Sequence, residues 1–155
     1  MDNANDPANL ATRNLLRGQA MQLPCGQAVA RAMGLEAIAD PLLKIGKAAL
    51  EGWEGAIPLA DIDPGFRDNA PLWFYILAEA RYDWFRRATG PCGGGNAEPL
   101  ALGQVGGRIV AETLVGLAWA DPFSYLAQEP NWVPAVGGTD LTMGALIKFA
   151  LTGAI

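Results

Sequence analysis

The stretch Pro71-Leu-Trp-Phe-Tyr-Ile-Leu-Ala-Glu-Ala-Arg-Tyr-Asp-Trp-Phe-Arg-Arg87 decides the fold class. Its first half, residues 72–77, is apolar around the whole circumference of a helix. A helix with no polar face is buried inside something larger than a two-layer surface arrangement. Proline at position 71 suits the first turn, where a backbone N–H goes unpaired in any case. The longest apolar stretch, residues 70–78, is about half of the ~20 residues that a bilayer-spanning helix needs. A core helix over 71–87 is therefore expected, with Leu72, Trp73, Phe74, Tyr75 and Ile76 as the candidate interface to a larger body.

Helical spacing continues on both sides of this segment. Leu10, Leu15, Leu16 and Ala20 cluster on one face and predict a helix over 9–21, with Pro7 near its start and Gly18 weakening its later half. Leu23-Pro24 breaks the chain. Pro24 suits the first turn of a helix over 26–33, which Gly34 stops. Asp40-Pro41 predicts a further helix carrying Leu42, Leu43, Ile45, Ala49 and Leu50, with Asp40 as its cap. Prolines and glycines make residues 52–69 a loop, with Ile57, Leu59, Ile62 and Phe66 expected against the body. Further loops are expected near 89–103 and 128–138. Helices are predicted over 104–119, 121–127 and from 139 or 140 to 151. Arg108 and Glu112, one turn apart, support the first of these by roughly 0.2–0.5 kcal/mol. No alternating strand pattern and no internal repeat is present. The reading is an all-α, irregular bundle of about five to seven helices with Gly/Pro-rich loops, in a single domain over 1–155.

Composition limits what such a bundle does. The chain has 155 residues, 51% of them apolar, a net charge of −5 and no histidine. About 150 residues bury roughly 68–70% of the unfolded surface, enough for a core without disulfides or metal. The absence of histidine removes Ser-His-Asp and Cys-His catalysis, an imidazole base, and any histidine-ligated metal or haem within this chain. An acidic balance with no basic run longer than Arg86-Arg87 argues against a nucleic-acid surface. Cys25 and Cys92 form no C-x-x-C pattern and read as small hydrophobes or idle thiols. Cys25 is the more reactive candidate, because it follows Pro24 near a helix start, where a thiolate is favoured. No signal peptide is visible, so a cytoplasmic location is expected.

The candidate sites follow. Gly93-Gly-Gly95, Gly103-x-x-Gly106-Gly107 and Gly137-Gly138 lack the strand and the Lys-Ser/Thr of phosphate loops, so loops or close helix packing account for them better. Asp61 and Asp63 read as a solvated turn. Arg13, Arg17 and Arg31 are different, because no acid lies between Asp6 and Glu36 in an otherwise acidic protein. Arginine suits bidentate carboxylate binding, and Asn14 adds an amide beside it. The alternative is a basic, solvated face.

The run Leu10-Ala-Thr-Arg-Asn-Leu-Leu-Arg-Gly-Gln-Ala-Met-Gln-Leu-Pro-Cys-Gly-Gln-Ala-Val-Ala-Arg31 resembles a signature of the animal-type haem peroxidases: Asn, two residues, Arg, then Leu-Pro and a helix. The stretches 71–80, 103–112 and 121–126, and Thr142-Met143, agree in order with bacterial members of that family. The likeness covers only the C-terminal part of the family's catalytic domain. It implies that Asn14 accepts a hydrogen bond from a proximal histidine, tuning haem iron, and that Arg17 pairs with a haem propionate. Both histidines of the family lie in an earlier part of its domain that this chain lacks. Cys25 also stands where the family has Ser, and residues 90–96 look inserted. Two functions follow from the resemblance. One is a non-catalytic helical subunit, packed against another chain and holding no cofactor alone. The other is the C-terminal subunit of a split peroxidase whose partner brings haem and the histidines. An independent enzyme using Cys25 as nucleophile or thiolate haem ligand is a third class, with no base identifiable near the thiol.

Overall fold

The computed structural model describes residues 9–46, 53, 55–89, 101–136 and 142–153. Among these residues the regular structure is all helical. It comprises α1 (Leu10–Ala20), α2 (Gly26–Ala32), α3 (Leu59–Ile62), α4 (Leu72–Thr89), α5 (Gln104–Ala120), α6 (Tyr125–Gln128) and α7 (Met143–Thr152). Single 3-10 turns occur at Asp40–Leu42 and Pro64–Phe66. This is the all-α fold of five to seven helices expected from the sequence. The chain forms two compact units, Met1–Val110 and Ala111–Ile155.

Local chemistry sets the helix ends. The Asn9 side chain accepts hydrogen bonds from the N–H groups of Ala11 (2.9 Å) and Thr12 (3.3 Å), pairing two donors that the first turn of α1 leaves open. Gly34, at φ +73°, ends α2 in the left-handed region that glycine enters without strain. The Thr142 hydroxyl accepts from Ala145 N–H at 3.1 Å and starts α7. Residues 139 and 140, offered as that start, lie outside the described residues, as do Cys92 and the 90–96 loop.

Three expectations need correction. The helix predicted from Asp40 is one 3-10 turn, because Leu43 leaves helical geometry and the chain then runs extended. Ile45 N–H donates to Ile57 O, and Leu59 N–H to Leu43 O, both at 2.9 Å. Lys44 thereby faces Pro58 in an isolated antiparallel bridge, which a continuing helix would forbid. Ala49 and Leu50, placed on that helix, lie outside the described residues.

The second correction concerns the 52–69 loop, which contains α3 and the 3-10 turn at Pro64–Phe66. Leu59 and Phe66 are half-buried, but Ile57 and Ile62 are exposed, because α3 turns Ala60 inward instead. Third, α6 starts at Tyr125 and not at Asp121. The Asp121 carboxylate accepts Phe123 N–H at 2.8 Å, and this turn must close before a helix begins.

The core of the first unit centres on Tyr75, which is fully buried with Ala30, Leu43, Ala70, Ala78 and Val105 around it. Its ring lies directly on Gly26, where a Cβ would stand 2.0 Å from the ring. The small residues Gly26, Ala30, Ala70 and Ala78 let α2 and α4 approach this closely. The Tyr75 hydroxyl accepts a hydrogen bond from Ile38 N–H at 3.0 Å, which satisfies both groups. Buried Gln27 ties α2 to the strand-like segment before α4. Its Oε1 accepts Ala70 N–H at 2.9 Å and its Nε2 donates to Asp40 at 3.1 Å. Gly26 N–H donates to Ala70 O at 2.9 Å, beside an isolated antiparallel bridge between Cys25 and Pro71.

Gly26→Ala is expected to destabilise the unit by about 3 kcal/mol or prevent folding, since overpacking of this kind costs roughly 1–3 kcal/mol or more. Urea unfolding followed by circular dichroism measures it. Burial pushes the Tyr75 hydroxyl above its ordinary value of 10, and the negative charge of Glu79 adds to this, while the Ile38 N–H opposes it. The unfolded chain therefore loses this proton first. Stability from Tyr75 is full below pH 10 and falls as pH rises through the raised value. In Tyr75→Phe that alkaline component is expected to vanish, at a cost of about 1–3 kcal/mol at neutral pH from the unpaired Ile38 N–H.

Candidate functional site

The segment carrying Asn14 is a helix, so Asn14 and Arg17 stand one turn apart on α1. α1 packs on the start of α4. Between them lies a cleft of about 200 Å³, lined by Asn14, Gly18, Cys25, Asn69, Leu72 and Trp73 among others. Asn14 is half-buried there, whereas Arg13 and Arg17 are exposed. Of the two residues that the resemblance assigns to a haem site, only Asn14 thus lines the cleft.

Arg31 belongs to a different group. Its guanidinium forms an ion pair with Asp68, an acid brought from 37 residues away. The hydrogen bond from Arg31 holds the Asp68 carboxyl below its ordinary range and raises the Arg31 value in turn. Asp68 stands at φ +49°, a left-handed conformation that Asp tolerates better than most residues. Its N–H donates to both carboxylate oxygens of Asp40, at 3.0 and 3.1 Å. Asp40, expected as a helix cap, is thus the acceptor that joins Gln27 on α2 to the 68–70 segment.

Cys25 occupies the cap position of α2, but its side chain makes no cap hydrogen bond. The thiol donates to Asp68 O at 3.5 Å. That orientation does not present sulfur to the helix N–H groups, which was the basis for expecting a favoured thiolate.

The glycines at 103, 106 and 107 serve close packing, as the sequence suggested, but around an acid that sequence reasoning passed over. Glu79 is buried on α4. Its carboxylate accepts the N–H groups of Val105 (3.0 and 3.2 Å) and Gly106 (3.1 Å). An anion is favoured at a helix start by these open donors and by the helix dipole. A Cβ at position 103 would stand 2.3 Å from the Glu79 side chain, so only glycine fits. The available signal was an acid directly after the apolar run 72–78, with glycines opening the next helix.

The remaining candidates have local roles. Asp63 accepts Gly65 N–H at 2.7 Å and forms the expected turn. Of the proposed interface residues, Tyr75 lies in the chain's own core, while Leu72, Trp73, Phe74 and Ile76 are half-buried. Ile76 packs on the bare face of Gly106, where a Cβ would be 3.2 Å away. A larger cleft of about 520 Å³ lies between the end of α4 and the start of α5, lined by Asp83, Arg86, Arg87, Leu102 and Gln104 among others.

These residues do not fit a haem enclosed by this chain. Pockets for molecules of drug size span roughly 300–1,000 Å³, the Asn14 cleft is about 200 Å³, and Arg17 is exposed outside its lining. Compared with known proteins, the chain matches no family model, no curated protein and no solved structure.

Asp40→Ala removes the acceptor of the Gln27 amide and of Asp68 N–H and is expected to cost about 2–3 kcal/mol. Arg31→Ala removes only an exposed pair and should lower the melting temperature much less, with a difference that shrinks as salt is added. Thermal unfolding at low and high salt checks both.

Proposed function

We propose that this chain is a helical structural subunit, without catalysis of its own, that packs against another protein chain. One observation carries the reading. None of the described residues from position 111 onward is buried, although that unit is rich in large apolar side chains. Phe123 is 82% exposed, Leu151 81% and Trp119 74%, and Leu114, Leu117, Met143 and Ile147 are also exposed. Exposed apolar side chains in such number, where they adjoin, mark interaction sites. Few charges accompany it: α5 beyond Glu112 has none, and α7 carries only Lys148. No described helix is long and apolar enough to cross a membrane.

The resemblance to the C-terminal part of haem peroxidases supports the same reading, because a piece of a larger domain leaves apolar surface where the remainder would pack. The second reading, a split peroxidase whose partner brings haem and both histidines, draws on the half-buried position of Asn14 in the α1–α4 cleft. In that reading Asn14 would accept a hydrogen bond from the partner's proximal histidine and Arg17 would pair with a haem propionate across the boundary, and the partner would supply most of the pocket.

The test is purification from the native source, with mass and visible spectrum recorded together. A stable complex with a second chain and no Soret band is expected. Phe123→Ser with Leu151→Ser should release that partner without loss of helicity in the free chain. A Soret band that weakens in Asn14→Ala or Arg17→Ala would establish the split peroxidase instead. A monodisperse monomer that needs no partner overturns both readings.

A further inference from the structure

The cleft between α1 and α4 contains a glycine that the fold does not require. Gly18 lies in the last turn of α1, in ordinary helical geometry. Among the described residues, a Cβ there would meet only Leu23 Cδ1, at 3.8 Å, which is ordinary van der Waals contact. Gly26 and Gly103 differ, since a side chain at either would enter a neighbour. Glycine inside a helix is less stable than alanine, so Gly18 weakens α1 with no gain in packing.

The end of α1 places this glycine where the helix has least use for it. Gln22 N–H donates to Gln19 O and Leu23 N–H to Gly18 O, both at 3.0 Å, closing the helix in a Schellman motif. Such a motif favours glycine at its left-handed position, yet Gln22 stands there at φ +51°. It also favours an apolar contact between positions 18 and 23, which glycine forgoes. What Gly18 does provide is space, for it lines the cleft of about 200 Å³.

The lining defines the occupant. Among the described residues no charged side chain lines the cleft, so an ion would lose hydration there without a counter-charge. The half-buried rings of Phe66 and Trp73 line it together with Cys25. Aromatic rings and sulfur both favour contact with another ring. The side-chain amides of Asn14 and Gln19 also line it and make no hydrogen bond to a described residue. Each offers donors and an acceptor. A cavity of roughly 150 Å³ holds a benzene ring, so this cleft has room for one or two fused rings.

We infer that the α1–α4 cleft binds a small, neutral aromatic molecule with a hydrogen-bonding edge, of the size of an indole or a phenol. The ring occupies the space that Gly18 leaves, against the aromatic lining, and the amides of Asn14 and Gln19 pair with its N–H or O–H. The site belongs to the first unit and does not depend on the partner chain proposed above.

The test uses the full chain with indole as probe and indole-3-acetate, which is charged, as control. Two readouts are taken: the side-chain NH₂ signals in ¹⁵N-resolved spectra, and the thermal midpoint. Indole is expected to bind saturably, to raise the midpoint, and to shift the signals that are missing in Asn14→Leu and Gln19→Leu. Indole-3-acetate should bind at least tenfold more weakly. Gly18→Ala should raise the midpoint of the free chain. Gly18→Leu, which fills the cleft, and Asn14→Leu, which removes an amide, should each weaken indole binding at least tenfold without loss of helicity. Trp132→Ser with Val133→Ser, which removes exposed apolar side chains of the second unit, should leave it unchanged. The inference is overturned if Gly18→Ala lowers the midpoint, since the glycine then serves the fold. It is equally overturned if indole binding survives Gly18→Leu or Asn14→Leu, is lost with Trp132 and Val133, moves neither amide signal, or is matched by indole-3-acetate.

Discussion

The ring of Tyr75 resting on the bare α-carbon of Gly26 is the constraint on which the first unit depends. It requires a glycine where α2 begins, because any side chain would enter the ring. It also requires that α2 start beside the chain leading into α4, where Gly26 N–H meets Ala70 O. The hydroxyl at the far end of the same ring takes Ile38 N–H. One residue of α4 thereby positions both ends of the segment from 26 to 38. Gln27 and Asp40 then complete the polar connections that this approach brings within reach. Tight packing and buried hydrogen bonds are satisfied together, as close-packed interiors demand.

Much of the fold was legible in the sequence, because its signals are local. Helical spacing and turn residues placed α1, α2, α4 and α5 to within a residue or two, and Gly34 acts through backbone geometry that needs no distant partner. Asp40-Pro41 is the instructive failure. A cap residue before a proline is a sound start signal, yet the carboxylate of Asp40 is taken by Gln27 and Asp68, and the following residues pair with the chain at 57–59. That competition depends on residues far away along the chain. The site was less legible for the same reason. Arg31 looked like part of a patch with Arg13 and Arg17, but its charge is answered by Asp68.

Charge inside the first unit is handled in two ways. Glu79 is buried and fully answered by the start of α5, so an acid that would be costly alone fixes where a helix begins. Arg81, two residues further along the same helix, is buried with one nitrogen unanswered. Neighbouring residues of α4 thus bear opposite charges toward different surroundings. The first supports architecture, and the second departs from the rule that interior polar groups find partners.

The two isolated bridges share a property with a wider consequence. Each pairs a residue with a proline, Cys25 with Pro71 and Lys44 with Pro58. Proline offers a carbonyl but no N–H, so neither pairing can lengthen into a ladder. Extended segments that pair once and stop give no open edge for a second molecule to copy. In a chain that leaves this much apolar surface uncovered, that arrangement guards against growth of intermolecular β-sheet while helical surfaces remain available for association.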